Sequence, residues 1–249
     1  MIDLFFTNYF PEIEGQFNNS VLIFIDVLRS STTICAALYN GAKEVIGSET
    51  HEKAVQIYSS LSRESRFLGG ERNCIKPSGF DAGNSPSEYS HAAVAGKTVI
   101  ISTSNGTKTF NKARNALKRI VCGFVNIDAV FDYLKMNFIE NSTIDKIPNF
   151  IILCAGTNGR FSYEDTICGG AVIKYLKTVL PESMLTDSAD AARNLYNLHF
   201  ADFRDFLKTR QHAVRLLELG FESDIDTAFT YNCFPVVPLV NGTSIKLAD

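Results

Sequence analysis

Short apolar runs recur along the first part of the chain, each followed by a segment whose apolar positions repeat every three or four residues. The short runs predict strands at Val21–Ile25, Glu44–Gly47, Arg66–Leu68, Lys97–Thr103, Arg119–Gly123 and Asn149–Ala155. The periodic segments predict helices between them. Ala54, Ile57, Tyr58 and Leu61 mark one; Phe110, Ala113 and Leu117 a second; Ile127, Val130, Phe131 and Leu134 a third; Val172, Tyr175, Leu176 and Val179 a fourth. From Thr186 the pattern turns helical, over Ser188–Leu198, Ala201–Lys208 and Thr209–Leu219, with Gly220 as a stop. A last strand over Phe234–Val240 contains Pro235 and Pro238, which predicts an edge position. Strand–helix alternation implies an α/β protein, layered α/β/α with a largely parallel or mixed sheet and a helical C-terminal region. Residues 1–249 read as a single domain, with a division into two lobes near 125–185 as the alternative.

The chain is organised around Val21–Asn40, a buried strand, a polar turn and a helix ended by Gly41. Asp26 and Arg29 sit in the turn, followed by Ser30, Ser31, Thr32 and Thr33. An acid and an arginine at the carboxyl end of a strand suit a metal ion and an anion; they also suit a capped turn with an internal ion pair. Three further junctions carry similar residues. Residues 69–88 form a long glycine-rich loop with Glu71, Arg72, Lys76, Asp81 and Asn84, closed by Ser85 and Pro86 as a helix start. Thr103-Ser104-Asn105-Gly106-Thr107 has the make-up of a phosphate cradle, or of an ordinary helix cap. Gly156–Asp165 contains Arg160, then Ser162 with Asp165 in capping-box spacing. In one parallel sheet these strand ends share an edge, so the four junctions are expected to converge.

Composition narrows the chemistry. Of 249 residues, 45% are hydrophobic and 20% charged, with a net charge of −3, so no basic excess points to nucleic acid or an anionic membrane. None of the six cysteines forms a C-x-x-C pair or neighbours a histidine, which excludes zinc-site spacing. No apolar run approaches the ~18 residues of a membrane span and the first residues lack a signal-peptide pattern; a cytoplasmic, reducing setting is expected. Neither a P-loop nor a G-x-S-x-G elbow is present. The acids Asp26, Glu71, Asp81, Glu164 and Asp165 are hard oxygen donors suited to magnesium. Arg29, Arg72 and Arg160 suit phosphate or a second anionic group. His212, early in a predicted helix, is a candidate general acid or a plain surface histidine.

Five stretches in order resemble the 2-phosphosulfolactate phosphatase family: Asp26-Val-Leu-Arg-Ser-Ser-Thr-Thr, Gly69-Gly-Glu-Arg-Asn, Gly79-Phe-Asp-Ala-Gly-Asn-Ser-Pro, Ser104-Asn-Gly-Thr, and Cys154-Ala-Gly-Thr with Glu164-Asp165. The resemblance covers nearly the whole chain. It departs at Cys74 and at Ala213, where the family pattern has glycine, and at Ser104, where threonine is commoner. The resemblance implies a Mg²⁺-dependent enzyme of coenzyme M biosynthesis that hydrolyses (R)-2-phospho-3-sulfolactate to 3-sulfolactate and phosphate. On that basis Asp26, Arg29 and Asn105 are expected to be catalytic, and Asp26, Glu71, Asp81 and Asp165 to supply metal ligands. Arg72, Asn84, Ser104, Gly106, Thr107 and Arg160 are expected to bind phosphate and substrate, with Arg72, Lys76 or Arg160 holding the sulfonate or carboxylate. The expected partner is a small anionic phosphomonoester, with no nucleic acid or membrane and with homo-oligomers left open. The nucleophile stays open between water activated by the metal and Asp26 itself. A phosphatase of the same fold for another small phosphomonoester and a non-catalytic anion-binding protein are the alternatives.

Overall fold

The computed structural model describes residues 1–9, 15–103, 114–140, 142–143 and 146–248. Nine strands among them form one sheet in the order β1-β7-β2-β6-β8-β9-β3-β5-β4. The strands are β1 (Ile2–Phe5), β2 (Ser20–Ile25), β3 (Glu44–Ser48), β4 (Arg66–Gly70), β5 (Thr98–Ser102), β6 (Lys118–Cys122), β7 (Asn149–Cys154), β8 (Pro238–Asn241) and β9 (Ser244–Leu247). Strands β1, β7, β2 and β6 pair in parallel, as do β3, β5 and β4. Between these blocks lies the β8–β9 hairpin, antiparallel to β6 on one side and to β3 on the other.

Three antiparallel joints in a row set the two parallel blocks running in opposite senses, so their strand ends do not share one edge as a single parallel sheet would require. They meet instead around α1 (Ser30–Tyr39). Alternation along β2 shows how: Val21, Ile23 and Ile25 face one core, Leu22 and Phe24 the other. The second core gathers Leu22 and Phe24 with Val99 and Ile101 of β5, Phe67 of β4, Ile245 of β9, and Ile34, Ala37 and Leu38 of α1. Both blocks therefore pack on the same helix, and all of α1 from Ser30 to Leu38 is buried. Burying Ile34 and Leu38 contributes about 1.5–3 kcal/mol each.

The outer face of the first block is covered by α4 (Ile127–Leu134), α5 (Tyr163–Val179), α6 (Asp187–His199), α7 (Phe203–Lys208), α8 (Gln211–Glu218) and α9 (Glu222–Ala228). Helix α2 (His51–Ser60) covers Leu68 and Ile100 of the second block, and α3 (His91–Val94) is a single turn before β5. The α/β class and the helical C-terminal region are as the sequence implies. The last expected strand is different. The strand expected over Phe234–Val240 is β8, which begins at Pro238, is followed by a further strand β9, and lies inside the sheet, whereas the edge strands are β1 and β4. Pro238 is tolerated because it opens the strand, where its missing N–H removes no ladder bond; β8 meets β6 only at Leu239 and Ile120. The helix expected to end at Leu117 falls largely on residues 104–113, outside the described residues, and residues 114–117 are not helical.

Candidate active site

Asp26 ends β2, and the hydroxyl run after it builds the turn. The Ser31 hydroxyl accepts from the Asp26 N–H at 2.9 Å, and the Ser30 N–H donates to Asp26 Oδ1 at 3.3 Å. Thr32 Oγ1 donates to the Val27 carbonyl, a local bond that fixes the helix entry. Ser30 and Thr33 reach across to the second block, Ser30 Oγ to Thr103 Oγ1 at 3.3 Å and Thr33 Oγ1 to the Asn84 carbonyl at 2.8 Å. The start of α1 is thus the point to which the loops after β4 and β5 are tied.

A cavity of ≈ 410 Å³ opens there. One wall carries Asp26, Arg29, Ser30 and Thr103, with Glu71 and Asn84 from the loop after β4. A second wall carries Thr157 and Asn158 from the loop after β7 and Gln211, His212 and Arg215 from α8; Asn73 and Cys74 also line the space. Burial raises the Asp26 carboxyl to about 6, against the Ser30 hydrogen bonds and the His212 charge, and the nearby Glu71 carboxylate adds to the rise. Glu71 is held by its Oε2, which accepts from the Cys74 N–H at 2.7 Å. Asn73 and Cys74 both stand in left-handed backbone, at φ 54° and 70°. For Cys74 this is where a glycine would sit without strain.

Arg29 lines the cavity but is held from behind. Its Nη1 donates to Asp224 Oδ2 of α9 at 2.7 Å, its Nη2 to the Cys74 carbonyl at 3.1 Å, and its guanidinium lies 4.4 Å from the centre of the Phe221 ring. The other oxygen of Asp224 accepts from the Ser85 hydroxyl at 2.5 Å. Ser85 stands, as expected, at the N-cap of the turn Pro86–Glu88 in a capping box with Glu88, whose Oε2 accepts the Ser85 N–H at 3.4 Å, and its hydroxyl proton goes to this network as well.

His212 is fixed by Glu164, whose Oε1 is 3.2 Å from Nδ1, with Thr157 Oγ1 at 3.4 Å. Burial opposes its charge, but hydrogen bonding to Cys74 and Glu164 and the Glu164 charge overcome that and lift the imidazole to about 10. His212 therefore stands charged near neutral pH, in the field of Asp26.

The other expected site residues are placed as follows. Asp165 is 3% exposed; its Oδ1 accepts from the Val27 N–H at 2.8 Å and its Oδ2 from the Gly156 N–H at 3.0 Å. It clamps the turns after β2 and β7 from beneath, and does not line the cavity. Burial, with Asp26 and Glu164 beside it, pushes its carboxyl well up. Asp81 is exposed and anchors its loop to β4 through the Leu68 N–H. Arg160 is exposed and outside the cavity. Arg72 lines a smaller neighbouring space of ≈ 220 Å³ that shares Glu71 and Thr103 with the first. Ser104, Asn105, Gly106 and Thr107 lie outside the described residues.

Two of the four expected metal ligands, Asp26 and Glu71, thus face one cavity. Among the described residues no group of three or more histidines, cysteines or acids is placed to hold a metal. A pair of carboxylates still fits magnesium, which takes one or two from protein and completes its shell with water and phosphate oxygens. The raised Asp26 carboxyl agrees with this fit, because it marks buried negative charge that a hard cation would compensate. Sequence reasoning missed Asp224 and Phe221, which carry no local motif, and Gln211 and Arg215, whose only signal is their spacing beside His212 on one helix.

Comparison with known proteins bears on the family. A family described as 2-phosphosulpholactate phosphatase matches residues 9–243. A probable 2-phosphosulfolactate phosphatase of Thermotoga maritima is 40% identical over 224 residues, 90% of either chain. One of the same description from Thermotoga petrophila matches to the same extent. Another, from Caldanaerobacter subterraneus, is 38% identical over 222 residues, 89% of this chain and 88% of its own. With the family matched across almost its whole length, the chain belongs to the 2-phosphosulpholactate phosphatase family.

Proposed function

We propose that this chain is a magnesium-dependent phosphatase that hydrolyses (R)-2-phospho-3-sulfolactate to 3-sulfolactate and phosphate, within the coenzyme M route. The observation that carries it is the meeting of Asp26, Glu71 and Arg29 in one cavity of ≈ 410 Å³. Acids alone would repel a phosphate, and an arginine alone would bind it without turning it over; together with a cation they can do both tasks. Asp26 and Glu71 would hold Mg²⁺, which when bound supplies positive charge to the phosphoryl oxygens. Arg29, oriented by Asp224 and Phe221, offers its remaining N–H groups to the oxygens that gain charge as the ester bond breaks. Asp26 either attacks phosphorus through a carboxylate oxygen or takes a proton from an attacking water. Phosphorus gains one oxygen, the P–O bond to the substrate carbon skeleton breaks, and the freed oxygen becomes the hydroxyl of sulfolactate by taking a proton from solvent water on the first route or the proton held by Asp26 on the second. On the first route a water then hydrolyses the aspartyl phosphate.

The test is release of phosphate from 2-phosphosulfolactate with magnesium and with chelator. Release that depends on the metal is expected; no release at millimolar magnesium would overturn the proposal. Equal rates across a panel of phosphorylated hydroxy acids would favour the broader reading, a phosphatase for small phosphomonoesters. A hydroxylamine-sensitive phosphoenzyme trapped with labelled substrate would select attack by Asp26.

A further inference from the structure

The residues expected to take the substrate's sulfonate or carboxylate are not on the cavity wall: Arg160 and Lys76 are exposed outside it and Arg72 lines the neighbouring space. What the wall does carry is one face of α8. Gln211, His212 and Arg215 stand at successive and one-turn spacing and all line the cavity. Nδ1 of His212 is committed to Glu164, itself 3% exposed, so the ring is locked and Nε2–H is the donor left for a ligand or the Cys74 sulfur. Among the described residues Arg215 pairs with Glu218 at 3.3 Å, both more than half exposed, a contact weak enough to be exchanged for a better anion. The helix also has Arg210 as an N-cap that makes no side-chain cap bond, so its first-turn N–H groups beside Gln211 and His212 are not spent on a capping side chain.

We infer that α8 forms a separate subsite for the non-reacting anionic group of the substrate, a sulfonate or carboxylate, bound by His212, Arg215 and Gln211. It rests on the phosphatase reading above for the substrate class. The chemistry divides the cavity's work. The wall with Asp26 and Glu71 is rich in acids and needs a cation before it accepts phosphate, whereas the α8 wall presents positive charge and neutral donors and takes an anion directly. A histidine held charged well above neutral pH is a poor proton donor there, because a general acid works best with its pKa near the operating pH. Its fixed charge suits binding instead. Sulfonate stays ionised at any physiological pH, so a permanent cation is the matching partner. Specificity for a substrate with a second anion then resides in α8, more than 100 residues after the acids in sequence.

Titration calorimetry separates this from the phosphatase reading. The probe is 3-sulfolactate, which lacks the phosphate, with lactate and inorganic phosphate as comparisons, on wild type, Arg215→Met and His212→Gln. Wild type is expected to bind 3-sulfolactate more tightly than lactate. Arg215→Met, on an exposed side chain that the fold does not need, should weaken 3-sulfolactate by about tenfold or more, the scale of one charge-assisted contact, and phosphate by much less. His212→Gln should do the same where circular dichroism shows it folded. Unchanged 3-sulfolactate affinity in Arg215→Met, or equal loss of sulfolactate and phosphate, would overturn the inference. An enzyme that binds 3-sulfolactate in this pattern yet releases no phosphate would instead overturn the proposed activity and leave the subsite standing.

Discussion

At the scale of single residues, the site is a set of charges held where folding alone would not put them. Asp26 shows the cost. Its carboxyl is raised to about 6 in the fold against about 3.9 when unfolded, so the folded state binds the proton more tightly. Its contribution to stability is greatest below pH ~4 and is lost as pH rises through 6. Asp26→Asn should abolish turnover and yet raise stability at pH 8 by about 1–3 kcal/mol in chelator, with a smaller gain at pH 5. Thermal melts at the two pH values check it; an equal gain at both would exclude the carboxylate charge as the cause. His212 has the same sign in a higher window: raised to about 10, it stabilises fully below about 6.5 and loses this as pH rises through 10. Glu164→Gln should bring its NMR titration midpoint down towards neutrality, and a midpoint that stays near 10 would remove Glu164 as the cause. Which residues are chemical was legible in the sequence, since acids, arginines and His212 stand out by type. Which of them meet was not. Asp81, Arg160 and Asp165 look the same on paper as Asp26 and Glu71, and only the packing shows that Asp165 spends both oxygens on backbone N–H groups.

Elements show a similar division between local and distant information. Strands β2, β5 and β7 were readable because both faces are buried, which leaves an unbroken apolar run. The approach of α5 and α6 was not readable, although its cause is a single residue. A Cβ built on Gly170 would lie 2.2 Å from the Ala192 carbonyl oxygen, so only glycine lets the two helices come this close. Gly170→Ala improves helix propensity by about 1 kcal/mol but pushes against a backbone that cannot turn aside, and a net loss of about 1–3 kcal/mol is expected. A raised urea midpoint would show that the helices separate freely. Helix α9 reaches the site in the same hidden way, through Asp224, which is 195 positions from Arg29. Removing one partner of a buried pair strands the other charge, so Asp224→Ala should cost about 3–5 kcal/mol. Asp224→Asn, which can still accept one bond, should cost less and fall chiefly on kcat, through a misplaced Arg29. Urea unfolding and kinetics of the two variants separate these effects.

The molecule as a whole depends on the joint between its parallel blocks. The sequence contained the signal for that joint: Gly242-Thr243, between the paired Asn241 and Ser244, is a two-residue hairpin turn with Gly at its first position, Gly242 at φ 59°. The prolines before it drew the strand to an edge instead. Ile245 of β9 is fully buried in the core shared with α1 and both blocks. Ile245→Asp places an unpaired carboxylate there and should cost several kcal/mol, enough to remove most of a typical domain's stability; urea unfolding that matches wild type would show that the blocks hold together without the hairpin.

Synthesis proceeds from one end, and β8 and β9 are translated after every other strand of the sheet. While residues up to Ala228 emerge, β6 and β3 each present an open row of N–H and C=O groups with the proper neighbour still unmade. Such an interval is when strand edges pair wrongly, within the chain or with another copy. The short length of β6 and β3, five residues each, limits how much wrong pairing could hold. Arrival of Pro238–Leu247 then closes both edges at once, and the cavity that needs loops from both blocks is completed only at that point.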